Sequence, residues 1–277
     1  MEMSRFHSKG RELLILSILT QACNSLFYHP DSVIYSTPDQ VGQNYESFTL
    51  PVDDQVSLHA WHVSAKKPRM GTVLHFHGNA QNMTSHFLYV YWLAEYGFDI
   101  ITFDYRGYGT STGKPTREGI YRDSLAILQE AVKRSEHLFI LGQSLGGAVA
   151  IPAIAKLKPA NLRGLILDSS FSSYQSIVEE KLSASLITYP IKKLLKHLVG
   201  DEYSPRDFAE QISVPTLIIH GKNDPVVPYI ESKRLSEFIP HAEFWTWEGE
   251  GHTQAFASEN SYRQQLVNWM LRQVSSH

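Results

Sequence analysis

Gly142-Gln143-Ser144-Leu145-Gly146-Gly147 lies between a short apolar run, Leu138-Phe139-Ile140-Leu141, and a longer stretch that continues Ala148-Val149-Ala150. The run reads as a buried strand, and residues 145–157 read as a helix. A strand passing so abruptly into a helix crowds the positions two before and two after the serine. Glycine fits there and larger side chains do not. The same turn forces Ser144 into a strained conformation that presents its Oγ, and the helix N-terminus behind it favours developing negative charge. Ser144 is therefore the candidate nucleophile. A bare G-x-S-x-G is weak evidence, because a glycine-rich turn with a solvent-facing serine gives the same letters; the flanking strand and helix make it specific. Pro152 within the helix removes a hydrogen bond at a cost of ~3 kcal/mol and predicts a kink.

Outward from this turn the chain alternates strands and helices. Residues 48–51 and 56–63 alternate apolar and polar positions, as an antiparallel pair does. Strands are expected at 72–76, 98–103, 138–141, 164–167, 215–219 and 243–247. Helices are expected at 85–96, stopped by Gly97, and at 116–134, 145–157, 230–238 and 254–274. Such repetition predicts an α/β fold with a mostly parallel sheet of about eight strands and helices on both faces. In that architecture chemistry sits beyond the carboxyl ends of the strands.

A serine hydroxyl needs a base, and histidine titrates in the useful range. Of thirteen histidines, His252 stands out in Glu248-Gly249-Glu250-Gly251-His252, a loop after the last strand. Its other ring nitrogen needs an acceptor. Asp224, in Gly221-Lys222-Asn223-Asp224-Pro225, follows the strand at 215–219; Asp168, ending the strand at 164–167, is the competing acid. The order Ser144, Asp224, His252 favours Asp224. Two backbone N–H groups should take the negative charge of acyl transfer, each worth ~3 kcal/mol. One is that of Leu145. The other is that of Asn79, or alternatively Ala80, in the loop His77-Gly78-Asn79-Ala80-Gln81-Asn82. His77 reads as structural. Asp104-Tyr105-Arg106-Gly107-Tyr108-Gly109 is glycine-rich without a Walker lysine pattern, and reads as a wall of the site with Arg106 paired to a carboxylate.

More chain lies between residues 169 and 213 than one crossover helix needs. Residues 177–186 and 191–198 read as short amphipathic helices, either a broken crossover or a small cap spanning about 172–205. Under the cap reading Tyr174, Leu182, Leu186 and Tyr189 line an acyl pocket, core packing being the alternative for each, with Gly78 and Ala80 also facing the substrate.

The 277 residues suit one domain, and with a net charge of −3 nothing suggests a nucleic-acid partner, which would need a basic stripe or patch. The single cysteine, Cys23, allows no intrachain disulfide and no thiolate cluster. It follows Arg5, Lys9 and Arg11, the apolar run at 13–19, and Leu19-Thr20-Gln21-Ala22. That order resembles a bacterial lipoprotein signal, although Thr20 and Gln21 fit it imperfectly. It divides the chain into a signal at 1–23, a tether at 24–44 and a catalytic domain at 45–277. A lipidated Cys23 places the protein at a membrane surface in the bacterial cell envelope, and by resemblance to enterobacterial sorting signals Asn24 after it favours the outer membrane. The alternatives are a signal anchor or a buried N-terminal helix in a cytoplasmic protein.

The motifs at residues 77–80, 104–109, 142–147, 220–224 and 251–252 together resemble the Bem46-like α/β hydrolases, over roughly residue 45 to the C-terminus. The resemblance implies an α/β-hydrolase fold and an ester, thioester or lysophospholipid hydrolase needing no metal or cofactor. The expected substrate is a small ester or acyl compound. An aminopeptidase is the second reading; it needs an acid for the substrate amine, for which Glu179 or Glu180 would serve. A non-catalytic ligand-binding lipoprotein is the third. A dehalogenase would carry aspartate at position 144.

Overall fold

The computed structural model describes residues 27–183, 189–197, 199–258 and 261–275. The strands, in chain order, are β1 (His29–Pro30), β2 (Tyr45–Pro51), β3 (Ser57–Val63), β4 (Gly71–Phe76), β5 (Ala80–Gln81), β6 (Phe98–Phe103), β7 (Leu138–Gln143), β8 (Leu162–Asp168), β9 (Thr216–Asn223) and β10 (Glu243–Glu250). The α-helices are α1 (Met83–His86), α2 (Arg117–Arg134), α3 (Leu145–Leu157), α4 (Tyr174–Ser183), α5 (Lys192–Lys196), α6 (Arg206–Ala209), α7 (Tyr229–Phe238) and α8 (Ser261–Ser275).

Eight strands form one sheet in the order β10-β9-β8-β7-β4-β6-β3-β2. From β6 to β10 every pairing is parallel; β3 runs antiparallel to both β2 and β6. The central strands β4, β6 and β7 are buried along their whole length, which is why they read as unbroken apolar runs. One apolar layer joins Ile120, Ile127 and Leu128 of α2, Ala148 and Ile151 of α3, and Leu235 of α7 to one face of the sheet. The other layer joins Leu93, Leu266, Trp269 and Met270 to the opposite face. In α2 the buried side chains recur at helical spacing, and the Thr116 hydroxyl caps the helix by accepting from the Gly119 N–H at 3.0 Å.

The expected helix at 85–96 is broken. Asn82 caps a single α-turn, and 3-10 turns at Phe87–Tyr89 and Tyr91–Tyr96 follow. Bulky aromatic residues at 87, 89, 91, 92 and 96 pack against the core from the separate turns, a tertiary gain that outweighs helix continuity. Gly97 ends the segment at φ +91°, a conformation that L side chains rarely adopt. Helix α3 runs through Pro152, which is buried.

The expected tether at 24–44 is also corrected where it is described. Phe27 and Tyr28 are buried, β1 pairs in parallel with β5, and Asn82 Nδ2 donates to the carbonyls of Asp31 and Val33 at 3.3 and 2.8 Å. Burial of each aromatic side chain contributes ~2 kcal/mol, which a solvated linker forgoes. Cys23 and the rest of the expected signal lie outside the described residues, as does Leu186. Among the described residues no helix is long and apolar enough to cross a membrane.

Candidate active site

The carboxyl ends of β4, β7 and β9 and the loop after β10 meet at one side of the sheet. Ser144 joins β7 to α3 at φ +53°, ψ −117°, the strained turn expected of an elbow. A Cβ on Gly142 would stand 2.5 Å from the Gly147 Cα, and one on Gly146 would stand 2.0 Å from the Phe76 carbonyl oxygen. Both positions therefore exclude every other residue type. The elbow is held from behind: the Ser144 N–H donates to the Asp168 carbonyl at 2.8 Å, and the Ser170 hydroxyl donates to the Ser144 carbonyl at 3.0 Å. His75, kept neutral because burial lowers its pKa to about 3, fixes the Gln143 side chain at 2.9 Å.

His252 Nδ1 stands 2.7 Å from Asp224 Oδ2. The other carboxylate oxygen accepts the backbone N–H groups of Val226 and Val227 at 2.8 and 2.9 Å. Buried His220 adds a contact at 3.3 Å to Oδ2. Burial alone would raise the Asp224 pKa; the hydrogen bonds from His220, His252 and Val227 outweigh it and hold the carboxyl well below the usual range. Asp224 is thus ionised and faces the ring that needs it. The competing Asp168 is buried instead beside Ser169, whose hydroxyl it accepts at 3.0 Å, and burial pushes it up to about 6.

A cavity of about 620 Å³ joins these groups. Ser144, Leu145, Gly78, Asn79, Ala80 and His252 line it together with apolar Phe27, Phe171, Ile177, Val178, Leu182, Val226 and Val227. Helix α4 supplies four of these positions, at 177, 178, 181 and 182, all on one helical face. The loop at 77–80 is braced by neighbours: His77 Nδ1–H donates to the Gly78 carbonyl at 2.8 Å, and Asn79 Oδ1 accepts from the His29 N–H and the Tyr108 hydroxyl, both at 3.1 Å. Arg106 pairs with buried Asp123 through Nε and Nη2 at 3.0 and 2.7 Å.

Two expected pocket residues stand elsewhere. Tyr174 is buried behind the lining, edge-on to Phe27 and Phe171 at 5.2 and 5.4 Å, with the Arg117 guanidinium over its ring at 4.0 Å. Tyr189 is exposed, at 56 %, and stacks under Lys192. Tyr174 shares the helical face of Ile177 and Val178, but Phe27 and Phe171 pack against it and take its place in the lining. Glu179 and Glu180 line a separate polar cavity of about 520 Å³, paired with Lys196 and Arg234. Phe27 and His29 were missed as lining residues; the signal was an aromatic pair, Phe27-Tyr28, inside a stretch read as solvated.

The family described as "Serine aminopeptidase, S33" matches residues 67–207, and that described as "TAP-like protein" matches residues 199–274. Protein YfhR of Salmonella typhi is 32 % identical, with 95 % of this chain and 93 % of that protein aligned. Protein bem46 of Schizosaccharomyces pombe is 29 % identical over 69 % of this chain and 64 % of its own length. This chain belongs to the Bem46-like α/β-hydrolase family. The architecture of this Bem46-like hydrolase is shared by an esterase of Pyrococcus furiosus, with a TM-score of 0.68 at 20 % identity over 90 % of this chain and 97 % of that one.

Proposed function

We propose that this Bem46-like hydrolase cleaves carboxylic esters or thioesters by acyl transfer through Ser144, His252 and Asp224. The observation that carries the reading is the 2.7 Å bond between His252 Nδ1 and ionised Asp224, set on a cavity that Ser144 also lines from a strained elbow. That bond places the ring proton on Nδ1 and leaves Nε2 as the base. Ser144 Oγ attacks the acyl carbon while its proton passes to Nε2. The N–H groups of Leu145 and Asn79 take the charge on the carbonyl oxygen. The leaving alkoxide or thiolate collects the proton from Nε2, and water activated by the same ring releases the acid. Base catalysis of this kind contributes ~10²–10⁴ in rate.

An aminopeptidase reading is favoured by the description of the matching family. Against it, no aspartate or glutamate is among the described residues lining the cavity, so a substrate ammonium group has no counter-charge there. A fluorophosphonate probe tests the proposal. Labelling of wild type but not of Ser144→Ala is expected; labelling of neither would favour a ligand-binding role. Ester and aminoacyl amide substrates assayed side by side distinguish the two hydrolase readings. We place the enzyme at an envelope membrane through lipidated Cys23, on the strength of the basic, apolar and cysteine-terminated order of its first residues.

A further inference from the structure

The apolar wall of the cavity is built from two distant parts of the chain. Helix α4 brings Ile177, Val178 and Leu182, and the segment before the first sheet strand brings Phe27. Phe27 is 9 % exposed and cannot turn away from the cavity freely, since Tyr174 backs it edge-on at 5.2 Å. The Arg117 guanidinium lies over both rings, at 5.6 Å from Phe27 and 4.0 Å from Tyr174. The segment is also in fixed register with the loop proposed to bind the oxyanion. His29 pairs with Ala80 across β1 and β5, and the His29 N–H donates to Asn79 Oδ1 at 3.1 Å. One short stretch therefore carries both an apolar wall and a brace for the loop that meets the reacting carbonyl.

We infer that Phe27 is a specificity-determining residue that sets how long an acyl chain the site accepts, and that residues 27–30 are part of the active site. The inference rests on the acyl-transfer reading of Ser144. An acyl group bound to Ser144, its carbonyl oxygen at Asn79, extends into the apolar part of the cavity and meets the Phe27 ring. The only lining residue with a permanent charge among those described is Lys181, whose Nζ is engaged by the Pro225 carbonyl at 3.1 Å. The acid half of the substrate is accordingly a neutral hydrocarbon group, free of charged substituents.

The chain-length profile of kcat/KM over p-nitrophenyl esters from acetyl to palmitoyl tests this, for wild type, Phe27→Ala and Phe27→Trp. Removing the ring should move the optimum to longer chains and enlarging it should move the optimum to shorter ones. The ratio of long-chain to butyryl kcat/KM should change by ~10-fold or more in opposite directions, as methylene discrimination in an apolar pocket allows. Thermal melts near that of wild type show that the variants are folded. Wild-type profiles in both folded variants overturn the inference alone. Should Phe27→Ala fail to fold, the direction of the Phe27→Trp profile decides. A wild-type protein that neither hydrolyses esters nor takes the label overturns the acyl-transfer reading and this inference with it.

Discussion

Asp104 is a carboxylate with almost no water around it and too few donors. Its Oδ1 accepts the Met83 N–H at 2.7 Å, its Oδ2 has no hydrogen-bond partner, and His77 Nε2 stands 3.6 Å from Oδ1. His77 gives its one ring proton to the Gly78 carbonyl, and burial holds its pKa well below the ordinary value. Burial raises the Asp104 pKa to about 7, with Asp31 adding to the rise, so below that pH the carboxyl holds a proton and the contact is not an ion pair. A carboxyl whose pKa is raised on folding contributes most below its unfolded value, and that contribution is lost as pH rises through the folded one. Asp104→Asn keeps the neutral shape. The wild-type protein should lose on the order of 2 kcal/mol more than Asp104→Asn between pH 5 and pH 8, as read from urea unfolding midpoints. Asp168, raised to about 6, remains in both proteins and leaves a smaller slope. Asp224 works in the opposite sense, stabilising above the unfolded carboxylate range and ceasing to do so in acid.

Among the elements, the β7–α3 elbow is the most constrained. A methyl group at Gly146 meets the backbone of Phe76 and His77, neither of which can move without opening the β4–β7 pairing. Gly146→Ala should cost ~3 kcal/mol. In thermal unfolding that is a fall in Tm of about 5–10 °C, with fluorophosphonate labelling reduced as well. The elbow was legible in the sequence because its demand is local: a strand, two glycines and a helix fix where Ser144 points. Asp224 and His252 were legible because each follows a strand end in a fixed order. The turns at 83–96 were not, since a run of aromatic residues packs piece by piece for reasons held in the facing core. Nor was the burial of Tyr174, because Phe27, which covers it on the cavity side, comes from a distant part of the chain. The role of Phe27 was hidden by distance: nothing near it in sequence reveals Tyr174 or Asn79 as neighbours.

At the scale of the whole molecule, two claims concern what the chain does outside its own fold. Ser144 and His252 line a cavity at one side of the sheet with α4 along its wall, and the first described residues run directly into that side. A lipid at Cys23 would hold the cavity close to the surface that anchors it. Fractionation tests the anchor: Cys23→Ala should move the protein from the membrane to the soluble fraction with ester hydrolysis retained, and retention in the membrane would refute lipid attachment. The second claim concerns order in time. Phe27 leaves the ribosome early, while Tyr174 and the cap helix that seat it emerge much later, and the loop bearing His252 later still. The wall that joins Phe27 to α4 therefore cannot close until about two thirds of the polypeptide has been made, long after the ring that it carries has left the tunnel.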